Sequence, residues 1–334
     1  MAGIILGIES TAHTLSIGMV RDNGDLLPSE SSIFTPEQGG IHPREAADHH
    51  SLMAPELISR VLSRDDFSIS DVKAVSFSQG PGLGPCLRVG ASLARTLSQS
   101  WNVPLVGVNH CVAHIEVGRN QTGCDDPVLL YASGGNTQVI ARAGSRYRVL
   151  GETLDIGIGN MLDKFARYHD IPFPGGPKIE KLASQWEIEG ADLAQKLELP
   201  YAVHGMDLAF SGILTAAISL SEREGINAAS WSLQEHSFAS CIEVAERALA
   251  HTGKNELLLG GGVACNSRLR EMAEIMCSER GATAHWPDKQ YCIDNGTMIA
   301  ELGRREIEMG RETKLEHSAI NPILRTDSTP ITWS

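Results

Sequence analysis

The chain has 334 residues, 42% of them hydrophobic and 21% charged, which is ordinary for a soluble globular protein of one large or two smaller domains. No run of about 18 apolar residues occurs, so the sequence predicts no membrane span. The net charge of −13 argues against attraction of the whole surface to nucleic acid or anionic membrane. Seven scattered cysteines without a C-x-x-C pair indicate free thiols in a reducing cytoplasm.

The first half of the chain opens with strands and turns. Residues IILGIES predict a strand that ends in a small, polar turn at Glu9–His13, and a second strand leads to the turn DNG at Asp22–Gly24. An insertion at about 28–66 contains the amphipathic helix REAADHHSLMAPELISRVL. Beyond it the sequence predicts a strand over 72–80, a helix over 91–101 and a strand in VPLVGVN.

The second half repeats this order. The strand VLLY ends in the small residues Ser133–Asn136, and a return strand, a turn at Ala143–Ser145 and a third strand follow. A Pro/Gly-rich and then polar insertion is expected near 171–200. After it come the strand NELLLGGG, a helix over 266–280 and the strand TAHWPD, and the last long helix is expected to begin near Asp294.

The two halves are similar enough to indicate a duplication. Ser10 matches Ser133 and Thr14 matches Thr137, both at an offset of 123 residues. Two such hairpin units predict two related α/β lobes. We expect the lobes to comprise residues 1–118 with about 300–330 for the first, and residues 119–299 for the second.

Glycine-rich turns follow two strands of the second half. The turn ASGGN offers backbone N–H groups without obstructing side chains, as phosphate oxygens require. The stretch LGGGVACN at 259–266 lets a flat base approach the backbone and precedes a helix N-terminus. Each turn alone is weak evidence, but in a duplicated frame both together predict nucleotide binding in a cleft. No Walker loop occurs in the sequence.

A histidine pair follows the apolar strand in VNHCVAHIEVG. His110 and His114 are four residues apart, so on a helix both imidazoles share one face, which is a metal-ligand spacing. Two packed histidines on a first helical turn are the alternative. A metal needs further donors, and the residues alone do not choose among several Asp, Glu and Tyr. Tyr131 could equally be a half-buried strand aromatic, and Asp294 a helix N-cap.

Seven motifs occur in order across nearly the whole chain: NHCVAHIE, YASGGNTQV, GNMLDKFAR, FPGGPKIEKLA, FSGILTA, LGGGVACN and CIDNG. Together they resemble the universal tRNA threonylcarbamoyl transferase family, called TsaD in bacteria and the catalytic subunit of the KEOPS complex in archaea and eukaryotes. The resemblance implies an α/β fold of the actin/Hsp70/sugar-kinase (ASKHA) type, with duplicated RNase H-like lobes and a central nucleotide cleft.

The resemblance also assigns site residues. It implies metal ligands at His110, His114, Tyr131 and Asp294. It implies nucleotide and substrate contacts at Tyr131, Ala132, Ser133, Gly134, Gly135, Asp163, Gly176, Glu180 and Asn266. Glu180 matches the archaeal and eukaryotic form, whereas STAHT at 10–14 departs from the bacterial SCDET, so roles of the bacterial acids do not transfer to His13 and Thr14. Glu9 is a candidate catalytic residue near the expected phosphates, but the sequence identifies no general base.

The implied enzyme is an acyltransferase of the cytoplasm, not of a membrane. It moves a threonylcarbamoyl group from threonylcarbamoyl-adenylate to the exocyclic amine of the tRNA adenosine next to the anticodon, and it releases AMP. Two histidines, a carboxylate and a phenolate favour one iron ion per subunit, with zinc as the alternative. The expected partners are tRNA and KEOPS subunits, an atypical protein kinase among them.

Three other functions remain open. A zincin metalloprotease needs H-E-x-x-H, but Cys111 follows His110 here. An ATP-dependent small-molecule kinase of the same fold has no need of a histidine pair, and a non-enzymatic nucleotide-switched scaffold would leave the metal residues idle. His42, His49 and His50 are unassigned, and the rings of the adjacent pair are expected on different faces. Basic residues are interpreted as solvated surface at Arg142, Arg146, Arg148, Arg304, Arg305, Arg311 and Lys314.

Overall fold

A computed structural model of the chain describes residues 3–36, 40–64, 67–186, 197–331 and 333. Parts of both expected insertions, residues 37–39, 65–66 and 187–196, lie outside the described residues. The first of two units comprises Met1–Gly123, Ala143–Tyr147 and Pro287–Ser334, and the second comprises Cys124–Arg142 and Arg148–Trp286. The lobe boundaries expected from the sequence stay a prediction.

The sheet of the first unit consists of β1 (Ile4–Glu9), β2 (Thr14–Arg21), β3 (Leu26–Ile33), β4 (Val72–Gly80) and β5 (Leu105–Asn109), in the order β3-β2-β1-β4-β5. Strand β2 is antiparallel to both β1 and β3, while β4 is parallel to both β1 and β5. Every residue of β1 is buried, which is typical of a strand covered on both faces. Because β1, β4 and β5 run in the same direction, Glu9 and Asn109 lie at the same edge of the sheet.

The sheet of the second unit has the same plan. Its strands are β6 (Val128–Ala132), β7 (Thr137–Ala143), β8 (Arg146–Glu152), β11 (Glu256–Gly260) and β12 (Thr283–His285). Strands β9 (Val203–His204) and β10 (Asp207–Leu208) form a separate two-stranded sheet. The order in the five-stranded sheet is β12-β11-β6-β7-β8, with β6 antiparallel to β7 and parallel to β11. Read from β8, this order repeats that of the first sheet, so the expected duplication is confirmed.

The described α-helices are α1 (Pro43–Leu62), α2 (Gly84–Trp101), α3 (His110–Thr122), α4 (Ile158–Tyr168), α5 (Gly176–Ser184), α6 (Ser211–Glu224), α7 (Ile226–Thr252), α8 (Ser267–Arg280), α9 (Lys289–Cys292) and α10 (Gly296–Glu308). Helix α10 lies directly on β1 and β2 of the first sheet. A Cβ at Gly7 would lie 2.2 Å from the backbone nitrogen of Ala300, and one at Gly18 would lie 2.1 Å from that of Thr297. Only glycine permits this close approach.

Most elements expected from the sequence are confirmed, but the helices α4, α5, α6 and α7 were not predicted. The strand at 72–80 and the helices at 91–101 and 266–280 are present, although α2 begins earlier, at Gly84. The sequence analysis did not identify α7, which has 27 residues. Because α7 is buried around most of its surface, no alternation of apolar and polar residues marks it as a helix. None of the described helices is both long and apolar enough to cross a bilayer.

Candidate functional site

The two histidines stand on the first turn of α3. Asn109 ends β5, and its side-chain oxygen accepts hydrogen bonds from the backbone N–H groups of Cys111 at 2.9 Å and Val112 at 3.2 Å. This cap starts the helix at His110, so His110 and His114 share one face. Their ring centroids are 4.8 Å apart and the rings are nearly perpendicular. Both side chains are buried.

Asp294 lies against both rings. Its Oδ1 is 3.3 Å from His114 Nε2 and 3.5 Å from His110 Nε2. The alternative role of Asp294 as an N-cap is wrong, because the cap of α10 is Asn295, whose side chain accepts a hydrogen bond from the backbone N–H of Met298 at 2.9 Å. The carboxylate of Asp294 is therefore not used to cap the helix.

Glu9 reaches the cluster from the end of β1. Its side chain is fully buried. His110 Nδ1 lies 3.0 Å from Glu9 Oε2, on the opposite side of the ring from Asp294. The other oxygen, Oε1, accepts from the backbone N–H of Thr11 at 2.6 Å and from its hydroxyl at 2.5 Å. Both carboxylate oxygens of Glu9 thus have partners inside the first unit.

The charges of the cluster shift its protonation. Burial would lower the pKa of His110, but the carboxylates of Glu9 and Asp294 outweigh burial and raise this pKa to about 9. Burial lowers the pKa of His114 in spite of its hydrogen bond with Asp294. Burial would raise the pKa of Asp294, but His110 and His114 hold it well below its usual range. Without a metal, His114 is therefore a neutral imidazole and Asp294 an ionised carboxylate, whereas His110 is protonated at neutral pH and has to release a proton when a metal binds.

The three side chains fit a metal ion. The donor atoms of His110, His114 and Asp294 lie within 4.8 Å of one another. Two ligand atoms that bind one ion, each at about 2.0–2.2 Å, lie roughly 3–4 Å from each other. The distances from Asp294 Oδ1 to His114 Nε2, 3.3 Å, and to His110 Nε2, 3.5 Å, fall in this range. No second group of three His, Cys, Asp or Glu with this proximity occurs within the described ranges.

The remaining predicted site residues lie in the second unit. Tyr131 is buried near the end of β6, in register with Gln138 of β7 and Gly260 of β11. Its role as a metal ligand stays a prediction. The strand continues to Ala132, and the turn after it is closed by the backbone N–H of Ser133, which donates to the carbonyl of Asn136 at 2.9 Å.

Several glycines near this turn have open space where a side chain would lie. Gly261 has a positive φ of 90°, and a Cβ there would lie 2.4 Å from the carbonyl oxygen of Ala132, so local packing requires this glycine. In contrast, a Cβ at Gly135 or Gly262 would have no neighbour within 4 Å, and one at Gly134 would have its first at 3.8 Å. Neither crowding nor a positive φ explains glycine at these three positions. Binding of a ligand at these glycines stays a prediction.

The other predicted contacts lie on α4 and α5 and at the start of α8. Asp163 of α4 accepts a hydrogen bond at 2.7 Å from the backbone of the loop before α5, whose first residue is Gly176. Glu180 Oε1 accepts from the backbone N–H of Ser267 at 2.8 Å and from its hydroxyl at 2.5 Å. Asn266 caps α8. Glu180 thus lies beside the start of α8, where Asn266 is the cap, and Asp163 contacts the loop that precedes α5.

The sequence analysis missed a buried ion-pair network on α3. Glu116 is fully buried, lies 3.1 Å from Arg119 and 3.2 Å from Arg305, and accepts a hydrogen bond from the Tyr147 hydroxyl at 2.6 Å. Arg304 is 9% exposed. The interpretation of Arg304 as solvated surface is therefore wrong. A Glu and an Arg three residues apart in a helix of small and apolar residues were the available signal.

The expectation that adjacent histidines point to different faces is also wrong. The Nδ1 atoms of His49 and His50 lie 3.3 Å apart. His50 is fully buried, its Nε2 lies 3.1 Å from the carbonyl oxygen of Ala12, and burial lowers its pKa to about 4. His50 thus contacts the loop after β1, while Nε2 of His49 lies 3.1 Å from the Ser32 hydroxyl of β3.

Solved structures share this fold. The structure of HypF from T. kodakarensis superposes with a TM-score of 0.58 at 15% identity, covering 92% of this chain and 48% of that one. At this identity the likeness concerns the fold alone. Together with the repeated strand order it confirms the duplicated α/β fold of the actin/Hsp70/sugar-kinase type.

Sequence relatives cover nearly the whole chain. The "tRNA N6-adenosine threonylcarbamoyltransferase" of Thermococcus kodakarensis is 51% identical over 99% of both chains. The "Probable bifunctional tRNA threonylcarbamoyladenosine biosynthesis protein" of Methanoculleus marisnigri is 52% identical over 99% of this chain, which spans only 60% of that relative's length. The family model TsaD, described as tRNA N6-adenosine threonylcarbamoyltransferase, matches residues 28–301. By these matches, the chain belongs to the TsaD family.

Proposed function

We propose that the chain is a tRNA N6-adenosine threonylcarbamoyltransferase. The observation that carries the proposal is the His110–His114–Asp294 cluster in a chain of this family. In the reaction, the exocyclic amine of the adenosine next to the anticodon forms a bond to the carbamoyl carbon of threonylcarbamoyl-adenylate. The bond from that carbon to the phosphate oxygen breaks, the amine loses a proton, and AMP leaves.

His110, His114 and Asp294 hold the metal in this proposal. Two imidazoles and a carboxylate suit iron, with zinc as the alternative. When bound, the ion supplies Lewis-acid polarisation of a substrate oxygen and a template that orients the substrate. The buried positions of both histidines keep water from competing for the ligand atoms. The exocyclic amine is a weak nucleophile, so the reaction depends on holding the amine and the carbamoyl carbon in the right geometry, which lowers the barrier.

The second unit holds the adenylate in this proposal. The exposed Gly134 and Gly135 let phosphate oxygens approach backbone N–H groups. Asp163 and Glu180 accept hydrogen bonds from the hydroxyl groups of the nucleoside, and Asn266 and Gly176 also contact the nucleotide. Support comes from Glu180, because within the described ranges its bonds to Ser267 engage Oε1 alone, so Oε2 is the oxygen that would accept from a ligand hydroxyl.

We also propose that tRNA binding is shared with partner subunits of the KEOPS type, an atypical kinase among them, in the cytoplasm. The net charge of −13 opposes a polyanion. Arg304 and Arg305 are engaged by Glu301 at 2.7 and 3.0 Å, so this basic cluster is not available to phosphates. Exposed cations such as Arg146 and Arg148 remain on the hairpin of β7 and β8.

The competing functions find less support. A metalloprotease needs a glutamate that activates water beside the ligands, but Glu116 is buried between Arg119 and Arg305. A small-molecule kinase of this fold would have no use for the histidine pair. We therefore keep the kinase as an outcome of the test rather than as a second proposal.

The test is transfer of labelled threonine from threonylcarbamoyl-adenylate into unmodified tRNA, with partner subunits present. Wild type, Asp294→Ala and His110→Ala are assayed together, and bound metal is quantified in each. We expect transfer by wild type and loss of both transfer and metal in the variants. Absence of transfer by a metal-loaded wild type would refute the proposal and favour the kinase. Transfer that survives loss of the metal would keep the function and remove the metal from it.

A further inference from the structure

Glu9 occupies a fixed position behind a metal ligand. The Thr11 hydroxyl is 2.5 Å from Glu9 Oε1 but 3.4 Å from His110 Nδ1, so its hydrogen is directed to the carboxylate. The backbone N–H of Thr11 donates to the same oxygen at 2.6 Å. These two donors leave Oε2, 3.0 Å from His110 Nδ1, as the oxygen that faces the imidazole.

This arrangement determines which ring nitrogen carries hydrogen. A carboxylate only accepts hydrogen bonds, so Nδ1 of His110 must be the donor. When the ring releases one proton to become a metal ligand, the hydrogen that Glu9 holds stays on Nδ1, and the lone pair forms on Nε2, the nitrogen that lies 3.5 Å from Asp294 Oδ1. Metal-binding histidines commonly donate their other N–H to a carboxylate, which fixes the ring and makes it a better ligand.

We propose that Glu9 is the positioning residue of the metal centre, holding His110 with Nδ1 as donor and Nε2 presented to the ion. The inference rests on the proposed metal site and deepens it. The sequence suggested Glu9 as a catalytic residue. Its full burial and the partners of both its oxygens support a positioning role instead, because a general base must reach the substrate proton.

Glutamine at position 9 separates shape from hydrogen-bond direction. In Glu9→Gln, the Thr11 donors would retain the amide oxygen, and the amide NH₂ would then face His110 Nδ1. A donor there makes Nδ1 the acceptor and moves the ring hydrogen to Nε2, where it blocks the metal. The side chain keeps its size, so the change acts on the tautomer of His110 rather than on packing.

The measurement is Zn²⁺ affinity of the full chain, by competition with a chromophoric chelator, repeated with Fe²⁺ without oxygen. We expect Glu9→Gln to bind about 10- to 100-fold more weakly than wild type, the usual effect of losing such a partner. Glu45→Gln, at an exposed position of α1, makes the same charge change and should bind like wild type. If Glu9→Gln does not fold, Thr11→Val removes one donor from Oε1 and should weaken binding several-fold.

Double variants show whether Glu9 acts through His110. On a His110→Ala background, Glu9→Gln should cause no further loss, whereas on a His114→Ala background it should cause its full loss. Equal losses on both backgrounds, or wild-type affinity of the single variant, would overturn the proposal. Unchanged affinity in Asp294→Ala would instead show that Zn²⁺ binds elsewhere, and the proposed metal site itself would fail.

Discussion

Replacing Tyr147 by phenylalanine tests whether the buried ion-pair network stabilises the unit that carries the histidines. The Tyr147 hydroxyl donates to Glu116 Oε1 at 2.6 Å, and the two residues are 2% and 0% exposed. Phenylalanine keeps the ring and removes one hydrogen-bond donor. Glu116 retains Arg119 and Arg305, so its charge does not become unpaired.

The size of the effect follows from this geometry. A hydrogen bond to a charged group contributes about 1.5–3 kcal/mol. Because two guanidinium groups still neutralise Glu116, we expect the lower part of that range, about 1.5–2 kcal/mol. Tyr201 provides a matched control: its hydroxyl donates to Glu243 at the same 2.6 Å, but the residue is 64% exposed. Water replaces that bond, so Tyr201→Phe should leave stability unchanged.

The assay is equilibrium unfolding in urea, followed by tryptophan fluorescence, with the free energy taken from the midpoint and the slope. Wild type and both variants are compared at the same pH and salt. Equal shifts of the midpoint in Tyr147→Phe and Tyr201→Phe would refute the reasoning, because burial would then not distinguish the two bonds. So would a Tyr147→Phe midpoint that coincides with wild type.

Three further predictions concern pH, the glycine turn and tRNA. Folding lowers the pKa of His50 from 6.5 to about 4, so between these pH values the unfolded chain binds more protons than the folded chain. The free energy of unfolding, measured by urea titration, should therefore decline as the pH falls from about 6.5 to about 4, and His50→Gln should lack this part of the decline. Gly135→Ala should melt like wild type yet weaken adenylate binding in calorimetry, whereas Gly261→Ala, with its Cβ against Ala132, should lower the melting temperature. The isolated chain should bind tRNA weakly in filter assays, with a steep loss in added salt, and salt-insensitive binding would contradict this.

Strands and helices were predictable from the sequence wherever an apolar segment is bounded by turn-forming residues. The strand at 72–80 was predicted to the residue, because an apolar run is bounded by polar and glycine signals. The predicted histidine face of α3 also formed, since helical spacing is local. Asp294 was not predictable from the residues alone, because it is 180 positions from His114 and several other acids were equivalent in sequence. The Glu9–His110 pair is separated by 101 positions and escaped notice for the same reason.

Two asparagines cap the helices next to the proposed metal ligands His110 and Asp294, so neither ligand is needed as a helix cap. The first N–H groups of a helix need an acceptor, and a neighbouring Asp or a polar side chain commonly supplies it. Here Asn109 caps α3 and Asn295 caps α10. The neighbouring side chains of His110 and Asp294 face each other instead, with 3.5 Å between His110 Nε2 and Asp294 Oδ1. An Asp–Asn pair before a helix can therefore divide two tasks between neighbours. The asparagine satisfies the helix, and the aspartate keeps its carboxylate for the histidines.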